Sequence, residues 1–219
     1  TIDENKIPSR IQKLSDLDPK IIGNRNVMIY APFEAAFTPW NEGQKVVDIL
    51  NSSDFKFQIT YLKNQDATIS SIYNLTDYGY VVLATHGSGG KVFLSGEQVD
   101  TTLAIYTSSY KTMLKAGKIS ISKNLKIKKN GAVSVKADVY GIRFPFISDL
   151  AGKFPNSVIL NNSCESTKSA ELENAFIGKG AKTYYGYSKI VSSRFCIENA
   201  DTLTRRLAKE LKTTGNSFL

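Results

Sequence analysis

Apolar residues fall along this chain in short dense runs, separated by segments whose apolar positions recur with a helical period. The run RNVMIYAPF (25–33) is nearly continuous, as expected of a strand buried on both faces of a sheet. TPWNEGQKVVDILNSS (38–53) follows, with Trp40, Val46, Val47, Ile49 and Leu50 at helix-like spacing. FKFQITYL (55–62) alternates as a strand does, and DATISSIYNLTD (66–77) predicts a helix opened by Asp66 as N-cap. YGYVVLATHG (78–87) predicts the third strand, and QVDTTLAIYTSSYKTMLKAG (98–117) a helix closed by Gly117. Beyond FISDLAGKF come the apolar run NSVILNNSC (156–164), a helix over 169–180, a strand over 181–191 and a long helix from about Arg194. Strands alternating with helices, with the central strands apolar throughout, predict a three-layer α/β sandwich: a mostly parallel central sheet flanked by helices.

One stretch breaks the alternation. In KISISKNLKIKKNGAVSVKADVYG (118–141), Asn130-Gly131 stands between alternating apolar positions, the pattern of a β-hairpin. This predicts an antiparallel ribbon inserted into the α/β chain as an appendage outside the central sheet. Its lysines (Lys118, Lys123, Lys126, Lys128, Lys129 and Lys136) are not interleaved with aromatic residues that could stack on bases. They read as charges guarding an exposed edge, and nucleic acid is not an expected partner. Residues 1–24 are polar, hold Pro8 and Pro19, and predict a tether or short outer helix; 25–219 then form one domain.

Composition sharpens this in a few places. A chain of 219 residues, 42% hydrophobic, is long enough for one large domain with a real core. No apolar run approaches the roughly eighteen residues that span a bilayer. TIDENKIPSRIQ holds no apolar signal-peptide core, and the end LAKELKTTGNSFL, apolar at its last residues, suggests a cut within a longer protein with further domains. The net charge of +8 favours anionic partners in general, although much of it lies in the ribbon. One histidine and two cysteines, Cys164 and Cys196, supply neither a disulfide framework nor a four-ligand zinc site, so no metal or cofactor is expected.

The chemistry concentrates where two apolar runs stop. Ligands of parallel α/β sheets bind beyond the carboxyl ends of the strands. VVLAT delivers His86 there, the only histidine of the chain, and SVILNNS delivers Cys164. A lone histidine in such a domain is usually structural, and a cysteine at a strand end is often a small apolar filler. Their pairing points further. If the two strands are neighbours, a thiol nucleophile and its proton-transfer partner emerge side by side. Gly87, lacking a side chain, could bring its N–H close to a tetrahedral oxyanion, with the Cys164 N–H as second donor. Glu165 and the segment after the last strand, including Tyr187 and Ser188, are candidates for lining the substrate site. An acidic floor would favour Arg or Lys at P1, the residue before the scissile bond. Other motifs fail: HGSGGKV lacks the spacing of a phosphate-binding loop, GNSFL is no nucleophile elbow, and the first strand opens no dinucleotide fingerprint.

VVLATHGSGG and VILNNSCES resemble the two active-site motifs of the caspase-like (clan CD) cysteine peptidases. There, an apolar strand ends in His-Gly and a later one ends in a small residue followed by Cys. ATHG with SCES is most similar to CHAT-domain and gingipain-like members, and LENAFIGKGAKTYYGYSKIV is similar to the stretch after the cysteine in CHAT domains. The resemblance covers 25–219. It implies a caspase-like fold and a cysteine endopeptidase with His86 as general acid/base, Cys164 as nucleophile and Gly87 as oxyanion donor. Its partners would be a peptide or protein substrate, with further domains or a regulatory partner possible. Departures are Ser163 in place of the commoner alanine and the missing QACRG. His86 and Cys164 also lie about 78 residues apart, against about fifty in caspases. A catalytically silent or partner-gated interaction module of the same fold is the alternative; an unrelated α/β binding domain is a weaker third reading.

Overall fold

The computed structural model describes residues 20–99, 108–129 and 133–213. Its centre is a five-stranded sheet built from β1 (Asn26–Ala31), β2 (Gln58–Lys63), β3 (Tyr80–Leu83), β8 (Val158–Asn161) and β9 (Thr183–Tyr185), in the order β2-β1-β3-β8-β9. Every pairing in it is parallel. β3 and β8 are buried along their whole length, which is why their sequences are apolar without alternation.

Two helical layers cover the sheet. On one face Val27, Ile29, Tyr80, Val82, Val158 and Leu160 pack with Val46, Ile49 and Leu50 of α2 (Glu42–Asn51) and Ala200, Leu203 and Leu207 of α6 (Ser193–Glu210). On the other, Met28, Tyr30, Val81, Leu83 and Ile159 meet Phe146 and Ile147 of α4 (Phe144–Ser148) and Leu172 and Phe176 of α5 (Glu171–Gly178). Successive strand residues serve opposite faces, so each strand supplies two cores at once. A short helix α1 (Glu34–Phe37) precedes α2, and α3 (Ser108–Lys115) ends at Gly117, whose φ of 66° is the left-handed closure glycine permits.

Several elements differ from the sequence expectations. The helix expected over 66–77 is three separate 3₁₀ turns, at Asn64–Asp66, Ser70–Ile72 and Leu75–Asp77. Here Ala67, Ile69, Ile72 and Leu75 fill the core beside β1 and β3, and burial overrides the continuous helical period. The helix expected from 98 does not begin there: Gln98 ends a strand, β5 (Val92–Gln98), and 100–107 lie outside the described residues. The outer segment expected over 1–24 is already part of the body at its end. Ile22 is buried among the α2 and α6 residues, and Ile21 bridges to Lys212.

The ribbon is β6 (Ile119–Lys129) and β7 (Val133–Arg143), antiparallel, with the Asn130-Gly131 turn outside the described residues. It stands apart from the central sheet, in a second sheet ordered β4-β5-β7-β6, where β4 is Gly87–Ser88. It is more than an appendage. Ile119, Val139, Tyr140 and Ile142 at its base are buried, because β7 pairs with β5 and lies against the core, while Lys123, Lys126 and Lys136 further out are exposed. Among the described residues no helix is long and apolar enough to cross a membrane.

Candidate active site

The sheet brings His86 and Cys164 to one place. β3 and β8 are direct neighbours in register, Leu83 opposite Asn161, and Asn162 N–H donates to the Leu83 carbonyl at 3.0 Å just beyond the paired residues. Both chains then leave the sheet at its carboxyl edge.

On the β3 side the second sheet takes over. Thr85 Oγ1 donates to the Leu94 carbonyl (2.7 Å), Leu94 N–H donates to the His86 carbonyl (2.9 Å), and Gly87 pairs with Phe93. The imidazole of His86 lies between the rings of Phe33 and Phe37, each with its centroid 5.0 Å away. Burial among them holds the imidazole below its ordinary value, so it is neutral at pH 7 and able to accept a proton. No hydrogen bond to its ring nitrogens is present among the described residues.

On the β8 side, Asn161 organises the turn. Its Oδ1 accepts from the Ser163 N–H (3.2 Å) and Ser163 Oγ (2.7 Å), and its carbonyl accepts from Ser166 Oγ (2.9 Å). Glu165, directly after the cysteine, has φ of 55°, a left-handed conformation uncommon outside glycine and asparagine, which folds the chain back sharply at the thiol. Cys164 is half-buried, with its Sγ donating to the Val191 carbonyl at 3.6 Å. No hydrogen bond of the described residues uses the Cys164 N–H, so this donor is available beside the sulfur.

Gly87 is where the two loops touch. A Cβ there would lie 2.3 Å from Ser163 Oγ and 2.9 Å from the Val92 carbonyl, so any larger residue would force the His86 and Cys164 loops apart. Glu165 is placed elsewhere. Its carboxylate accepts from Lys168 Nζ and from the Gly89 N–H (3.3 Å), an arrangement that holds it below the usual carboxylate range, and it does not line the cleft. Tyr187 stands behind the cleft wall, its hydroxyl donating to Asn162 Oδ1 at 2.8 Å, and Ser188 is exposed on the bend after β9.

Between these loops is a cleft of about 90 Å³. His86 and Thr85 line it from β3, Asn162 and Cys164 from β8, and Phe37, Trp40 and Glu42 from α1 and the start of α2. Val191, Ser193 and Cys196 close it at the entry to α6. Cys196 is buried, its Sγ donating to the Asn162 carbonyl (3.8 Å), and burial pushes its thiol up to about 12. Burial and a raised thiol are the conditions of a structural cysteine.

Glu42 is the residue that sequence reading missed. Its carboxyl is buried at the cleft wall and accepts from Asn162 Nδ2, which also donates to the Cys196 carbonyl (3.2 Å). Burial pushes it up to about 8, so it is largely protonated at pH 7. In the sequence it is an ordinary acidic residue in a helix's first turn, a position normally solvated, and nothing local distinguishes it. Asn162 could have been noticed, since VILNNS is an apolar strand interrupted by two amides where a sheet edge would otherwise be capped by small residues. Among the described residues no group of three or more His, Cys, Asp or Glu side chains could hold a metal ion. In comparison with known proteins, no family model, no curated protein and no solved structure matches this chain.

Proposed function

We propose that the chain is a cysteine endopeptidase of caspase-like type, in which Cys164 and His86 form the reacting pair. One observation carries this reading: two adjacent parallel strands end with a half-buried thiol and a neutral imidazole on the walls of the same cleft. The resemblance of VVLATHGSGG and VILNNSCES to clan CD motifs points the same way.

In this mechanism the Cys164 thiol passes its proton to His86, and the sulfur attacks the scissile carbonyl carbon. The Cys164 and Gly87 N–H groups receive the oxyanion. His86 then gives its proton to the leaving amine as the C–N bond breaks, and water hydrolyses the resulting thioester to regenerate the thiol. The phenyl rings of Phe33 and Phe37 orient the imidazole where other enzymes use a carboxylate.

A second reading, a silent or partner-gated module, is favoured by a specific feature: no hydrogen bond joins Cys164 to His86 among the described residues, and the thiol is turned to the Val191 carbonyl. Such contacts commonly tighten only around substrate. Cleavage of a mixed peptide library, with and without iodoacetamide, distinguishes the two. The active peptidase is expected to cut a subset of peptides, to lose activity with one equivalent of reagent, and to carry the label on Cys164 and not on Cys196. A native protein that cuts nothing, or that labels first on Cys196, overturns the assignment.

A further inference from the structure

The described surface exposes five large apolar side chains: Trp40 (41%), Tyr73 (48%), Ile177 (42%), Ile190 (79%) and Phe195 (48%). Three of them lie on the segments that line one cleft. Trp40 lines the cleft that holds Cys164. Ile190 directly precedes Val191, whose carbonyl accepts from the Cys164 thiol. Phe195 stands between the lining residues Ser193 and Cys196, with its ring braced on Tyr187 at 5.7 Å. Trp40 is also held by its backbone, its N–H donating to the Phe37 carbonyl (2.7 Å) and its carbonyl accepting from the Glu42 N–H (3.0 Å). Exposed apolar groups scattered singly need no explanation, whereas several carried on the segments that line one cleft point to a binding surface.

We propose that this rim is a specificity subsite for a large uncharged apolar side chain of the substrate, gripped between Trp40 and the Ile190–Phe195 flank beside the scissile bond. The inference rests on the peptidase reading and names its substrate class. The occupant follows from continuity: the rim is the outer part of the walls that hold Cys164, so whatever fills it is carried over the sulfur. Its chemistry follows from charge. The cleft walls hold two ionisable groups besides the thiols, His86 and Glu42, and burial keeps both largely neutral at pH 7. A cationic side chain would meet no standing counter-charge there, in a chain whose net charge is already +8. An anionic one would leave water with only neutral hydrogen-bonding groups to receive it.

The chain carries its own probe, because Trp40 is its only tryptophan. The full chain with Cys164→Ala is titrated with four capped alanine-based hexapeptides, identical except for Leu, Lys, Asp or Ser at one central position, and Trp40 emission is followed. Wild-type protein is incubated with the same peptides and cleavage is read by mass spectrometry. The Leu peptide is expected to shift the emission and to bind at least tenfold more tightly than the other three. Ile190→Ser and Phe195→Ser, both at exposed positions, should each weaken the Leu peptide at least fivefold and leave the Ser peptide unchanged, with melting temperatures as in the parent. Tightest binding of the Lys peptide would assign the cleft to a cation anchored by Glu42 and overturn the proposal. Equal binding of all four, binding of none, or indifference to both serine variants would overturn it as well. Selective binding of the Leu peptide without cleavage by the wild type keeps the subsite and removes the peptidase reading. Cleavage of all four alike does the reverse.

Discussion

The two sheets of this molecule do different work, although they share one core. The central strands β1, β3 and β8 of the parallel sheet are buried on both faces, so they are apolar, and the candidate chemistry sits where β3 and β8 stop. The antiparallel sheet is graded along its length: Ile119, Val139, Tyr140 and Ile142 are core residues at the base, and Lys123, Lys126 and Lys136 are exposed further out. Its shortest strand is the continuation of β3. Through Gly87 opposite Phe93 and Phe93 opposite Ile142, the base of the lysine ribbon is laddered to the loop that carries His86. The parallel sheet brings the imidazole and the thiol to one cleft, and the antiparallel one ladders the loop that carries the imidazole. Position in a sheet, more than composition, separates a strand that supports the cleft from one that ends in it.

The sharpest way to break this comparison is at the strand ends. Cys164→Ala and His86→Ala are each expected to lower single-turnover peptide cleavage by about a thousandfold or more, about 4 kcal/mol in barrier. The double variant should be little worse than either single one, because the two groups act as a unit. Thermal unfolding should stay close to that of the parent, since neither side chain anchors the core. Near-normal turnover by His86→Ala would remove His86 from the mechanism.

Next in size is the base of the ribbon. Ile142→Ala deletes a fully buried side chain in the second sheet and should destabilise the fold by about 2–5 kcal/mol in chemical denaturation. Replacing 126–136 by a short glycine linker leaves Leu125 on the Phe33, Leu94 and Val139 cluster, removes only the outer part and should cost less than about 1 kcal/mol. Equal losses from the two changes would erase the distinction between base and tip.

A third test concerns the cleft against the surface. Glu42 ionises at about 8 in the folded protein, against 4.5 for an unperturbed carboxyl. Below 4.5 it is protonated in both folded and unfolded chains and has no pH-linked effect. As pH rises from 4.5 through 8 the unfolded chain ionises first, so the native state progressively loses stability. Glu42→Gln has no such loss and can still accept from Asn162 Nδ2. Melting of the two proteins should coincide near pH 4.5 and diverge by roughly 10 °C in favour of the glutamine by pH 8.5. A constant difference across that range would show that Glu42 is not buried as a neutral acid.

Local pattern alone determined a good deal here. The unbroken apolar runs at 27–31, 80–83 and 158–160 required strands covered on both faces, and strands of that kind belong to parallel sheets flanked by helices. The placement of the only histidine and of Cys164 just after two of those runs made both strand-end residues, because side chains beyond a buried strand have nowhere else to emerge. The long-range choices were out of reach. Nothing near 66–77 announced that its apolar residues would fill a core gap as broken 3₁₀ turns. Nothing within 92–98 announced a partner more than forty residues later. Glu42 reads as a solvated helix-opening acid until α2 and α6 pack on the same face of the sheet and bury it against Asn162. Trp40, Val191 and Ser193, scattered in sequence, line one cleft with Cys164 only once the α1–α2 loop and the entry to α6 come together. Periodicity reports what each segment must bury; which segments bury one another depends on packing between distant parts of the chain, and only the folded chain decides that.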